Sequence, residues 1–143
     1  MSMFTFTQDQ NVPAGQSVMF NNVICCNKGY VLHENGSSVV TLRGIVNNRC
    51  ADRARYLVEF TGNIAIPEGG TVAPISVAIA KVGEAQLASQ AISTPAAVEQ
   101  FNNVTSRYII DVPKGCCSYV SIENTSAEAI TVANAVLTID RIA

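Results

Sequence analysis

Val12-Pro13-Ala14-Gly15, Ile66-Pro67-Glu68-Gly69 and Val112-Pro113-Lys114-Gly115 write one pattern three times: a β-branched residue, proline, a variable residue and glycine. Proline pre-sets φ for the second position of a β-turn, and glycine is favoured at the fourth position of a type I turn. The residue before a proline is itself pushed to extended geometry. Each block therefore reads as the end of one strand and a turn into the next, and the chain reads as all-β.

The flanking segments agree. Residues 17–24 and 30–33 read as short strands separated by an Asn27-Lys28-Gly29 turn. Glu34-Asn35-Gly36-Ser37 then carries the Asn-Gly hairpin signal, before a strand at Val39, Val40 and Leu42. Residues 44–53 are polar and read as a loop. Beyond it Tyr56, Val58, Phe60, Ile64 and Ile66 take one face, and Arg55, Glu59, Thr61 and Asn63 the other. Gly62 in their midst marks a bulge or a close backbone approach. Residues 72–82 are apolar on both faces, Val77 and Ile79 opposing Ala78 and Ala80, which predicts burial on both sides.

Residues 86–92 form a further strand candidate. Thr94-Pro95 suits either a single helical turn through Phe101 or a loop. Tyr108, Ile110 and Val112 alternate with Arg107 and Asp111, and 118–124 reads as a strand with Val120 and Ile122 inward. In 130–142, Ala133, Ala135, Leu137 and Ile139 share one face, with Val132, Val136 and Ile142 on the other. So apolar a strand is not expected at a sheet edge. The expectation is eight to ten strands in an all-β, two-sheet antiparallel jelly-roll sandwich, one domain over residues 11–143 after an arm of residues 1–10.

Charged residues make up 14% of the 143 and hydrophobic ones 48%, against about 25% charged in ordinary soluble domains. Burial of part of the surface between subunits would account for so few charges. A net charge of −2 argues against nucleic acid as a partner. The densest basic stretch, Arg49, Arg53 and Arg55 beside Asp52, reads as a solvated loop. No apolar run reaches the roughly 20 residues that span a bilayer, so no membrane partner is expected. Residues 1–8 lack the basic start and apolar stretch of a secretory signal, which points to synthesis in a cytoplasm.

The search for chemistry finds no catalytic set. Five cysteines fall as Cys25-Cys26, Cys116-Cys117 and Cys50. Adjacent side chains on a strand point to opposite faces, and the spacers of zinc sites are missing. An odd count speaks against a complete internal disulfide set. Small buried thiols kept reduced, or a disulfide within or between subunits, both remain open. His33 is the only histidine and reads as a surface or partly buried residue, and the carboxylates are scattered without a spacing that singles out a pair. No phosphate-binding loop occurs. Phe20, Tyr30, Tyr56, Phe60, Phe101, Tyr108 and Tyr119 read as core or interface anchors rather than a sugar-stacking platform. The expectation is a protein that is not an enzyme and uses no cofactor and no metal.

The order of elements resembles the tumour-necrosis-factor/complement globular-head jelly roll. It is similar in particular to the C-terminal domain of collagen-like exosporium glycoproteins and to phage head-fibre and decoration proteins. The resemblance runs through residues 12–21, Tyr56-Leu57-Val58-Glu59-Phe60 into Ile64-Ala65-Ile66-Pro67-Glu68-Gly69, then residues 72–80. It continues in Val112-Pro113-Lys114-Gly115 with Val120-Ser121-Ile122-Glu123-Asn124, and in residues 135–143. It implies a homotrimer with apolar strands packed round a threefold axis, which puts Tyr56, Val77, Ile79, Tyr108, Val132, Val136, Leu137 and Ile139 at the trimer interface. It also implies display or binding rather than catalysis.

The cysteine pairs and the polar 44–53 loop depart from the family pattern, and no Gly-X-Y repeat is present to form a stalk. The role expected is therefore that of a phage virion accessory protein, a capsid decoration or head-fibre component. Its partners would be its own copies and a capsid surface or other virion protein, touched through the arm. The alternative is a carbohydrate- or receptor-binding module on a bacterial or spore surface, with a cell-surface glycan as partner.

Overall fold

The three proline blocks do turn the chain, but one residue later than the pattern suggests. In the computed structural model, which describes residues 2–25, 29–33 and 36–143, Gln16 N–H donates to the Pro13 carbonyl, Gly70 to Pro67 and Cys116 to Pro113. Proline thus opens each turn, and glycine stands third with φ of 75°, 82° and 80° at Gly15, Gly69 and Gly115. A φ near +80° at that position is the signature of a type II turn. Nothing lies within 4 Å of where a Cβ would sit on these three glycines, so backbone conformation alone selects them.

Between the turns run twelve strands: β1 (Ser2–Phe6), β2 (Gln10–Val12), β3 (Asn22–Cys25), β4 (Val31–His33), β5 (Val40–Arg43), β6 (Arg53–Ala65), β7 (Ile75–Lys81), β8 (Glu84–Ala85), β9 (Ala91–Ser93), β10 (Asn102–Pro113), β11 (Cys117–Asn124) and β12 (Ile130–Arg141). They form two antiparallel six-stranded sheets. Sheet A has the order β10-β6-β12-β1-β3 with β2 also paired to β12; sheet B has the order β4-β5-β11-β7-β8 with β9 also paired to β7. Phe4, Phe20, Leu42, Tyr56, Phe60, Ile79, Ile122 and Leu137 are buried between the sheets. The sandwich matches expectation, with more strands than the eight to ten read from the sequence.

Four readings change. Residues 2–6 are no free arm: β1 pairs with β12 on one side and β3 on the other, and Phe4 enters the core. Residues 86–92 are no single strand, because a 3₁₀ turn at Leu87–Ser89 separates β8 from β9. Ser89 explains the interruption. Its hydroxyl accepts from Ile79 N–H and its carbonyl accepts from the Ser106 hydroxyl, so the segment stitches β7 to β10. The 94–101 segment takes the loop alternative. β7 is buried on both faces as expected, yet within one copy: Ala78 and Ala80 are fully covered without any partner.

The fourth change concerns β12, which is central as expected. Its register against β6 shifts between Ala133 and Val136, where Asn134 takes φ 53°. Residues 133–134 lie where β12 passes from β2 to β1 as its partner, since Val132 pairs with Gln10 and Ala135 with Phe6. A bulge flips the alternation. Val132 therefore joins Ala135, Leu137 and Ile139 in the core, while Val136 is left only partly buried. Gly62 on β6 stays in phase and serves close approach: a Cβ there would meet the Phe60 ring at 2.9 Å.

The hairpin residues Glu34 and Asn35, and Cys26, Asn27 and Lys28, lie outside the described residues. β4 and β5, on either side of residues 34–35, pair antiparallel.

Candidate functional site

The structure redistributes the eight residues assigned to an interface. Tyr56, Val77, Ile79, Val132, Leu137 and Ile139 are fully buried inside a single copy, so no side-chain surface remains for a neighbour. Tyr108 points toward the β8–β9 excursion, where its hydroxyl donates to Gln86 Oε1 at 3.3 Å. Val136 alone lies on an outer face.

That outer face of sheet A has its own order. Along β6, residues alternate core and surface, and Leu57 falls on the surface side between Arg55 and Glu59. Along β10, Ile109 falls on the surface side between Arg107 and Asp111 and is 50% exposed. The register places Ile109 directly opposite Leu57. Two ion pairs frame these apolar residues. Arg55 donates to both carboxylate oxygens of Asp111, at 2.7 and 3.1 Å, and Arg107 meets Glu59 Oε1 at 2.7 Å. Arg53 approaches Asp111 as well, at 3.6 Å. Hydrogen bonding to Arg55, with the charges of Arg55, Arg53 and Lys81, holds the Asp111 carboxyl below its ordinary range despite some desolvation. Farther along the face, Thr105, Thr61, Val136 and Thr5 stand in one cross-strand row, and Asn103 bonds Asn63 at 3.1 Å.

The sequence reading assigned Leu57 and Ile109 no role. The available signal was their parity: each is apolar in the polar phase of an amphipathic strand.

The outer face of sheet B differs. Tyr119 of β11 lies opposite Thr41 of β5, and Thr41 opposite Leu32 of β4. With His33, Ser37 and Val39 they line a hollow of about 260 Å³. His33 is part of its frame: Nε2 donates to the Ser37 carbonyl at 2.9 Å and the ring packs on Phe4. Tyr119 is half exposed, so it is no core anchor.

Cys50, Cys116 and Cys117 are free and exposed, which corrects the buried reading for these thiols. Cys116 closes the third proline turn and Cys117 opens β11, opposite Arg43 of β5. Among the described residues no group of three His, Cys, Asp or Glu side chains could hold a metal ion, and no helix is long and apolar enough to cross a membrane.

No family model and no curated protein matches the sequence. Solved structures match the fold over nearly its whole length. The globular domain of zebrafish complement 1qA aligns with TM-score 0.66 at 11% identity, covering 99% of this chain and 96% of that one. Eiger TNF from S. frugiperda aligns with TM-score 0.66 at 10% identity, covering 100% and 92%. Murine APRIL at pH 5.0 gives TM-score 0.64 at 10% identity, covering 99% and 98%. The chain has the jelly-roll fold of the tumour-necrosis-factor and complement globular heads.

Proposed function

We propose that the chain is a non-enzymatic structural protein that forms a homotrimer through the outer face of sheet A. Its setting is the virion, as a capsid decoration or head-fibre component. The Leu57–Ile109 pair between two closed ion pairs carries the assembly reading. Covering a charged face usually costs more than it returns, because ions lose water. Here each framing charge already has a partner in its own copy, so a neighbour can cover the apolar pair without stranding a charge. The shared fold with the complement 1qA and Eiger TNF domains supports the shape such a ring needs.

Light scattering on the purified protein tests the assembly, with three times the mass of the chain expected; a monomer would overturn it. The setting is tested by neighbouring genes and by cosedimentation with heads of the virus they belong to. Capsid and portal genes beside this one and binding to heads are expected; neighbours for surface-layer synthesis would favour the alternative of a carbohydrate- or receptor-binding module on a bacterial or spore surface. The hollow at Tyr119 is the observation that favours that second reading.

A further inference from the structure

We infer that the hollow on the outer face of sheet B binds a single neutral sugar ring. The inference deepens the second reading above and stands on one copy of the chain, independent of trimer formation. Tyr119 is 49% exposed, Leu32 47% and Val39 41%, so the fold leaves a small apolar platform uncovered. Its volume of about 260 Å³ falls just below the roughly 300 Å³ at which pockets for drug-sized ligands begin. That is room for one ring.

The lining chemistry narrows the class. Among the described residues no carboxylate, amine or guanidinium lines the hollow, and the His33 imidazole has its Nε2 committed to the Ser37 carbonyl, so an ionic ligand would lose hydration there without meeting a counter-charge from these residues. The hydroxyls of Thr41 and Tyr119 have no hydrogen-bond partner among the described residues. A wholly apolar ligand would cover them and leave them unpaired. A pyranose satisfies both demands: its C–H face packs on aromatic and aliphatic carbon, and its hydroxyls both donate and accept. The frame is preformed. Ser37 Oγ accepts from Val39 N–H at 3.1 Å, and Ser37 O accepts from His33 Nε2 at 2.9 Å.

Backbone amide NMR of the intact protein, titrated with methyl glycosides of neutral hexoses and N-acetylhexosamines, tests the inference. Saturable shifts confined to Leu32, Thr41, Tyr119 and their neighbours are expected for at least one sugar. Tyr119→Ala is expected to weaken that binding about tenfold, and Thr41→Val about threefold. Both side chains face solvent, so melting temperatures should hold, which separates lost binding from lost fold. The inference is overturned if no neutral glycoside shifts these amides, or if Tyr119→Ala binds as well as the parent. A uronic acid binding as tightly as its neutral parent, or a proline-rich peptide taking the site while sugars do not, would also overturn it. Light scattering on the same samples is expected to be unchanged by Tyr119→Ala, so failure here leaves the trimer reading standing.

Discussion

The two outer faces of the sandwich are built from the same alternation and finish differently. On sheet A the surface positions carry charges that close on each other, Arg55 on Asp111 and Arg107 on Glu59, around an apolar cross-strand pair. On sheet B the equivalent row, Tyr119, Thr41 and Leu32, holds no ion pair and sinks into a hollow. A broad surface with internally settled charge suits another protein copy; a small recess with spare hydroxyls suits a small ligand. The core that supports both faces is continuous. Face chemistry, then, can diverge while the frame stays common.

The largest expected effect removes the common frame. Gly44 sits after β5, where its N–H donates to the Cys116 carbonyl and its carbonyl accepts from Gly115. A Cβ there would collide with the Pro113 carbonyl oxygen and lie 3.0 Å from that of Cys116. Both obstacles are backbone. Gly44→Ala is expected to cost about 3 kcal/mol and lower the melting temperature by roughly 10 °C. Gly69→Ala, which meets open space and pays only for its φ of 82°, should cost about 1 kcal/mol. Calorimetry on the two variants separates crowding from conformation; equal costs would show that the third turn is not clamped as described.

Next comes the comparison itself. Ile109→Arg places an uncompensated guanidinium beside Leu57, and burying it would cost several kcal/mol. Light scattering should show the assembly lost while the sugar-responsive amides are retained. Leu32→Arg on sheet B should do the reverse. If Leu32→Arg dissociates the protein and Ile109→Arg does not, the two faces have been assigned the wrong way round.

Much of this frame was legible in the sequence, and the failures are instructive. The inward set Tyr56, Val58, Phe60 and Ile64 follows from alternation, because β6 is long and keeps its phase. On β12 the same argument splits Val132 from Leu137 wrongly, because the bulge at Asn134 depends on a change of neighbours from β2 to β1. That pairing joins residues more than a hundred positions apart and leaves no local mark. β1 was read as an arm for the same reason, although Phe4 and Phe6 alternate with threonines. Asn124 was read only as the end of a strand. Fully buried, it donates to the carbonyls of Val12 and Glu128 and so secures the strand entering the first turn. The outer-face pair Leu57 and Ile109 was visible only as two parity exceptions on separate strands; register made them one feature.

A smaller effect probes how the sheets are tied. Tyr56 rises from β6 in sheet A, and its hydroxyl donates to the carbonyl of Arg43, on β5 of sheet B, at 2.6 Å. Burial raises its pKa above the ordinary 10.0, against the opposing charges of Arg141 and Arg43. A folded pKa above the unfolded one gives stability that is complete below the unfolded value and lost as pH rises through the folded one. Stability should therefore fall above about pH 10. Tyr56→Phe should cost about 1 kcal/mol at neutral pH and flatten that alkaline loss. Denaturant melts of both proteins across the alkaline range check it; an unchanged alkaline slope in Tyr56→Phe would place the titrating group elsewhere.

The smallest expected effect sharpens the boundary of the sheet A face. The Asp111 carboxyl is held below its ordinary 3.8, first by its hydrogen bond from Arg55. Because the folded pKa is depressed, the stabilisation is present above the ordinary value and disappears as pH falls through the folded one. In a lone copy the pair is solvent-exposed and the loss should be slight. Under a neighbouring copy it is shielded from water and salt, and protonating Asp111 leaves the Arg55 guanidinium covered and unpaired. Acidification from about pH 5 to about pH 3 should therefore destabilise the assembled protein more than the Ile109→Arg monomer, and Asp111→Asn should remove the difference. If both forms lose stability equally, the Arg55–Asp111 pair lies outside the contact and the interface centres on Ile109 and the Arg107 side of the face.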